Sequence, residues 1–434
     1  MKKVQQYILL VTLGFGLSTI AQQTPAGEQK EVVTIVGATA HIGNGTVIKN
    51  SLVIFENGKI TFVVDATTTK IPYRGTVIYA QGKHVYPGFI APNSTLGLGE
   101  VDAVRATRDY DEIGSMNPHI RSLIAYNAES KVTESIRPNG ILLGQITPRG
   151  GTISGTSSIV QFDAWNWEDA LVKEDDGIHL NWPNTYKRGR WWLGEPRGYK
   201  PNKDYSEQLE KIKSFIKQAE AYGKTPADSQ NESFDAMQGL FNGSKKMYVH
   251  TNGEKEIIDA ITTLKESGVQ RIVLVGGYEA YKVTDLLNKN NVSVLIQRVH
   301  TTPSNADDDY DLPYKLPILL VDKGVLVALQ SSGQMERMNT RNLPFLAGHL
   351  VGQGMDKEMA LQLITYNAAK ILGIDKDYGT LEVGKSATLF ISEGDALDMK
   401  TNLLTYAFID GREISLETRQ TKLWKRYMKK YSGE

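Results

Sequence analysis

The side chains available for chemistry are few. The 434 residues include seven histidines, at His41, His84, His119, His179, His250, His300 and His349, and no cysteine. Without thiols there is no disulfide, no thiolate metal site and no thiol nucleophile. Imidazole and carboxylate remain. Neutral imidazoles that converge with a carboxylate hold a divalent ion and leave a position open for water. His250 and His300 each follow a β-rich run, so a His250–His300 pair is one arrangement that could hold such an ion. Its acid would come from Glu100, Asp102 or the run Asp307-Asp308-Asp309-Tyr310-Asp311, a run that reads more simply as a solvated loop. His300 alone reads as a loop histidine. For His250 two readings stand level: a group facing a cavity, or a hydrogen-bonded core histidine.

Two further patterns carry weaker chemistry. The glycine-rich stretch 144–155 follows an apolar run, and backbone amides in such a loop can cradle an anion. It lacks the Lys-Ser/Thr ending of a phosphate-binding loop and reads better as a crowded turn. Ser331 and Ser332 could be paired on paper with His250, but nothing around them resembles a nucleophile elbow. Ser331, His300, Trp191 and Trp192 are candidates for lining a pocket.

The elements that must position these groups follow from patterning. Residues 32–36, 47–55 and 59–64 are β-rich, with Asn57-Gly58 a hairpin signal. The same texture returns at 387–392 and 404–409, with Asp410-Gly411 as another turn. Both chain ends are therefore expected to build one composite β domain, over 31–84 and 380–415. Between them, apolar runs at 85–90, 140–146, 246–250, 270–275, 292–297 and 325–329 alternate with helical patterns, which predicts a parallel α/β sheet. In 254–268, Ile257, Ile258, Ile261 and Leu264 share one helical face. The stretch 161–242 breaks the rhythm and holds five of the six tryptophans, so it reads as an insertion over the sheet. Packing of that insertion, or a pocket at Trp191 and Trp192, would explain the aromatics. At 416–434 a terminal helix is expected, its stripe of Leu423, Trp424, Tyr427, Met428 and Tyr431 docked on the body.

Composition narrows the rest. Forty-nine basic and 49 acidic residues cancel, so charge favours no nucleic-acid partner. Lys2 and Lys3, an apolar stretch over 7–17, and Thr19 and Ala21 at cleavage spacing read as a secretory signal over 1–21. A periplasmic or secreted location follows as an expectation, with no membrane span after cleavage.

The string Tyr86-Pro87-Gly88-Phe89-Ile90 resembles the first barrel strand of the amidohydrolase superfamily. Tyr248-Val249-His250 is similar to the family's fifth strand. Tyr366-Asn367-Ala368-Ala369-Lys370-Ile371-Leu372-Gly373 is similar to the helix after its eighth. Gly379-Thr380-Leu381-Glu382-Val383-Gly384-Lys385-Ser386-Ala387 resembles its return into the β domain. The imidazolonepropionase-like members, some of them secreted bacterial proteins, are the nearest group by this resemblance. It implies a TIM-like (β/α)8 barrel over 85–379 with a flanking β-sandwich-like domain, and hydrolysis of C–N bonds by one or two divalent ions, zinc or iron.

The ligand positions depart from that pattern. Where the family carries Asp-x-His-x-His, this chain reads Ala91-Pro92-Asn93-Ser94-Thr95. Asn93 and Thr95 replace the two histidines, Gly276 stands at the sixth-strand histidine, and Ser332 lies where the eighth-strand aspartate is expected. Only His250 keeps a metal-ligand position, and a lone imidazole holds no zinc. The expectation is a family member with impaired or absent metal-dependent catalysis. As a catalyst it would take divalent metal and a small amide or dipeptide-like substrate. Otherwise it would need no cofactor, and would bind a small molecule, self-associate or pair with an active homologue.

Overall fold

The computed structural model describes residues 24–189, 191–196, 198–224, 230–333 and 335–432. The leader expected at 1–21 lies outside them. The chain opens with β1 (Val33–His41), β2 (Val47–Glu56), β3 (Lys59–Asp65), β4 (Thr76–Tyr79) and β5 (His84–Pro87). Then come β6 (Phe89–Ser94), β7 (Ile141–Ile146), β8 (Ile153–Gln161) and β9 (Leu171–Asn181). A small hairpin follows, β10 (Tyr186–Arg188) and β11 (Tyr199–Pro201). The remaining strands are β12 (Lys246–Thr251), β13 (Ile272–Gly276), β14 (Ser293–Ile296), β15 (Val327–Leu329), β16 (Leu389–Ser392), β17 (Leu404–Ile409) and β18 (Arg412–Glu413).

Strands from both ends share one sheet, ordered β18-β17-β16-β5-β1-β2-β3, with β4 also on β1. Its hairpins close where the turn residues stand. Asn57 and Gly58 have φ of 51° and 76°, the left-handed values a two-residue turn needs between paired Glu56 and Lys59.

The second sheet runs β15-β14-β13-β12-β9-β8-β7-β6 and is curled nearly shut. The backbone of the segment before helix Tyr366–Leu372 bridges its two edges: Leu329 N–H donates to the Leu363 carbonyl (3.1 Å) and Ile90 N–H to that of Ile364 (2.9 Å). The apolar run 85–90 is divided at Gly88, its first half in one sheet and its second in the other.

Two expectations are corrected here. The barrel is not a regular (β/α)8 array, because β8 runs antiparallel to both β7 and β9. Residues 147–152 between β7 and β8 are too few for the roughly dozen-residue crossover that a parallel return requires. Nor is 161–242 wholly an insertion: β9 lies within it and pairs in parallel with β12 as barrel wall. What stands outside the wall is the β10–β11 hairpin with α1 (Tyr205–Tyr222) and α2 (Glu232–Asn242).

Helix α3 (Glu254–Glu266) buries Ile257, Ile261 and Leu264 as the spacing predicts, while Ile258 stays 39% exposed. The tryptophans divide. Trp182 is buried, its Nε1 donating to Tyr205 Oη (3.2 Å), whereas Trp191 and Trp192 are exposed on a short turn outside the barrel. The last helix, α4 (Arg419–Ser432), does not dock its stripe: every one of its residues is exposed. Among the described residues no helix is long and apolar enough to cross a membrane.

Candidate functional site

Inward-facing positions alternate along each strand, so residues two apart share the barrel interior. On β12 these are Tyr248 and His250. The parallel register sets Tyr248 beside His179 of β9, with rings stacked 4.7 Å apart. On β8, Ser157 meets the same spot. Asp176, at the start of the buried part of β9, supplies a buried carboxylate.

The hydrogen bonds order these groups into a line. Ser157 Oγ donates to Asp176 Oδ1 (2.7 Å), and Tyr248 Oη donates to Asp176 Oδ2 (2.6 Å). Having spent its proton, Ser157 Oγ accepts from His179 Nε2 (2.9 Å). His179 Nδ1 is then a lone pair, and it accepts from His250 Nε2 (2.8 Å). The tautomers follow from the serine: both imidazoles carry hydrogen on Nε2, and His250 Nδ1 is left as an acceptor.

Gln145 ties this line to the first barrel strand. Its Nε2 donates to Ser157 Oγ (3.1 Å) and Asp176 Oδ2 (3.3 Å), and its Oε1 accepts from Asn93 N–H (3.0 Å). Asn93 Nδ2 donates to Ser332 Oγ (3.2 Å). Over Asn93 lies a guanidinium. Arg149 Nη1 donates to Asn93 Oδ1 and Nη2 to its carbonyl, each at 3.0 Å, and Nη2 also meets both carboxylate oxygens of Glu336 at 3.2 Å. Thr95 donates its N–H to Glu336 Oε1 (3.0 Å) and its hydroxyl to the same oxygen.

Electrostatics match this geometry. Burial pushes His250 down to about 3, and the Arg149 charge adds to the effect. His179 is driven well below the ordinary imidazole value by burial, with His250 and Arg149 contributing. Burial, and then the Asp176 charge, raises the Tyr248 phenol well above its ordinary value. Both imidazoles are therefore neutral at physiological pH.

The residues present do not fit a divalent metal. Among the described residues no three of His, Asp and Glu converge on one point. His250 Nε2 is engaged by His179, and a permanent cation already neighbours Asn93. Gly276 cannot be a displaced ligand site either. Its φ is 102°, and a Cβ there would meet Asn252 Oδ1 at 2.6 Å and the Thr251 carbonyl at 2.9 Å.

Of the residues singled out from sequence, Asn93, Thr95 and Ser332 come together, and His250 joins their network through His179, Ser157 and Gln145. The His250–His300 pair does not form, because His300 is an exposed residue whose ring meets His349 and Tyr314. Ser331 turns away to Thr340 Oγ1 (3.1 Å). Asp102 pairs with Arg337, and Asp308 accepts from Tyr278 Oη (2.5 Å), so neither acid reaches His250. The loop 147–152 is a turn, not an anion cradle: Arg149 and Thr152 donate their amides to the carbonyls of Tyr110 and Ser115.

Sequence reasoning missed His179, Asp176, Ser157, Arg149 and Glu336. The alternation around Gly177-Ile178-His179-Leu180 was the available signal for the first two. Beside the strand ends, a cavity of about 860 Å³ is lined by Gly151, Thr152, Asn181, Asn184, Lys187 and Lys211 among others. Trp191 and Trp192 do not line it.

Comparison with known proteins agrees with this architecture. A crystal structure of an amidohydrolase from Thermotoga maritima superposes with a TM-score of 0.76 at 22% identity, covering 88% of this chain and 99% of that one. A putative prolidase from Bifidobacterium longum gives 0.54 at 15% identity, over 93% and 99% of the two chains. A Xaa-Pro dipeptidase with methionine bound in its active site gives 0.53 at 13%, over 88% and 100%. Among curated proteins no sequence relative matches. The model of the amidohydrolase family matches residues 198–414, half of the chain. With that match and with the barrel beneath it, the chain belongs to the amidohydrolase family.

Proposed function

We propose that this chain keeps the framework of a C–N bond hydrolase while its metal-dependent hydrolysis is impaired or lost, and that the barrel mouth binds a small polar molecule. The observation that carries the reading is Arg149. Its guanidinium sits 3.0 Å from Asn93, at the position where the family places a metal-binding histidine, and Glu336 neutralises it. The guanidinium and its carboxylate partner satisfy each other there, which leaves neither group free to bind a divalent ion. His250 Nδ1 remains as an acceptor for an N–H or O–H of the bound molecule. The molecule's chemistry fits the amide- and dipeptide-like substrates suggested by the names of the prolidase and dipeptidase neighbours. Self-association, or pairing with an active homologue, belongs to the same reading. So does export to the periplasm or the exterior, which rests on the leader.

A second reading retains catalysis, with zinc or iron or with His250 Nδ1 as a base. An imidazole held near 3 is a weak base at neutral pH, which favours the first reading. Metal analysis of purified protein, with dipeptidase and amidase assays with and without added zinc, iron or manganese, tests the choice. The first reading expects substoichiometric metal and no turnover. Stoichiometric metal lost in His250→Ala, together with turnover, would overturn it.

A further inference from the structure

Among the described residues nothing covers the helix Arg419–Ser432. All of its residues are exposed, including Trp424 at 62%, Tyr427 at 55%, Met428 at 48% and Leu423 at 39%. Its base is fixed: Thr418 is buried, and the Arg419 amide donates to Glu134 Oε1 (2.7 Å). With about 100° per residue, Leu423, Trp424, Tyr427, Met428 and Tyr431 fall within one arc of about 140°. Arg419, Lys422, Lys425, Arg426, Lys429 and Lys430 fill the opposite arc, and no acid lies within the helix. Among the described residues the acid paired with this face is Glu417, just before it, which meets Lys425 at 2.9 Å and Lys422 at 4.0 Å.

We propose that this helix seats the protein on an anionic lipid surface. A chain with no net charge gathers six cations and no acid on one short helix, which matches a surface of phosphates. The opposite face offers tryptophan and tyrosine, whose apolar rings and polar tips suit the headgroup–acyl boundary. Lysines at the margins of that face can bury their methylenes and keep their ammonium groups at the phosphates. The helix lies in the boundary plane and does not span it.

The test uses the full mature chain and vesicles of equal phosphatidylglycerol and phosphatidylcholine, compared with phosphatidylcholine alone. Co-sedimentation with the anionic vesicles only is expected, with a blue shift of tryptophan emission. Trp424→Phe should still bind and lose most of that shift. Lys425→Ala with Lys429→Ala should weaken binding on the order of tenfold or more. Trp424→Ser with Tyr427→Ser should abolish it, with the thermal midpoint unchanged because both side chains are exposed. Absence of binding to anionic vesicles overturns the proposal. So does equal binding to both vesicle types, or concentration-dependent self-association through this face without vesicle binding.

Discussion

His250 Nε2 lies 2.8 Å from Nδ1 of His179, so this imidazole is turned toward a hydrogen-bonded line ending on Asp176. Each member of that line spends its donor on the next. The imidazole thus serves the barrel's interior through Nε2, and Nδ1 is its ring nitrogen with an unshared pair.

Burial of the two rings makes stability depend on pH. Below the ordinary imidazole value of 6.5 the unfolded chain takes up protons that the folded chain refuses, down to about 3 at His250. Stability is complete above that unfolded value and falls as pH drops toward the folded one. The slope should be about 1 kcal/mol per pH unit for each histidine. Urea unfolding at neutral and mildly acidic pH measures it. His250→Asn should have a shallower slope, and an unaltered slope would show that these rings are not the cause.

Arg149 depresses His250 through charge as well as holding Asn93 and Glu336. In Arg149→Ala the imidazole signal of His250 should titrate at higher pH by NMR. The fold should lose about 2 kcal/mol, because Glu336 keeps a charge in a largely enclosed place. A titration that stays put would place the guanidinium elsewhere in solution.

Asp176 accepts from three donors, Ser157, Tyr248 and Gln145, and is buried. Asp176→Asn puts an amide against one of these donors and should cost on the order of 3 kcal/mol by chemical denaturation. A loss below about 0.5 kcal/mol would mean that the network repacks freely.

Placing a histidine at Gly276, where the resemblance expects one, should fail for backbone reasons. Gly276→His demands a side chain at φ 102° with Asn252 Oδ1 in its way, so a loss of roughly 2 kcal/mol and no gain in zinc binding are expected. Zinc uptake by this variant alone, read by calorimetry, would contradict the steric account.

Much of the architecture was written in local pattern. Asn57-Gly58 and Asp410-Gly411 are hairpin turns because a positive φ suits those residues, and Ile257, Ile261 and Leu264 of α3 are buried because 3.6-residue spacing puts them on one face. The residue types at Asn93, Thr95 and Gly276 were equally plain, and residue type alone decides whether a side chain can offer an imidazole. What filled the space was not legible. Arg149, Glu336 and Asp176 lie far apart in sequence, and nothing local tells which charges meet. His179 was hidden because four charged residues at 173–176 interrupt β9, and only its pairing with β8 and β12 makes it a wall strand. The reversal of β8 and the undocked face of Arg419–Ser432 were likewise decided in three dimensions. A short connection dictates strand direction only once the neighbouring strand is known, and an amphipathic stripe names no partner until the body either offers a surface or withholds one.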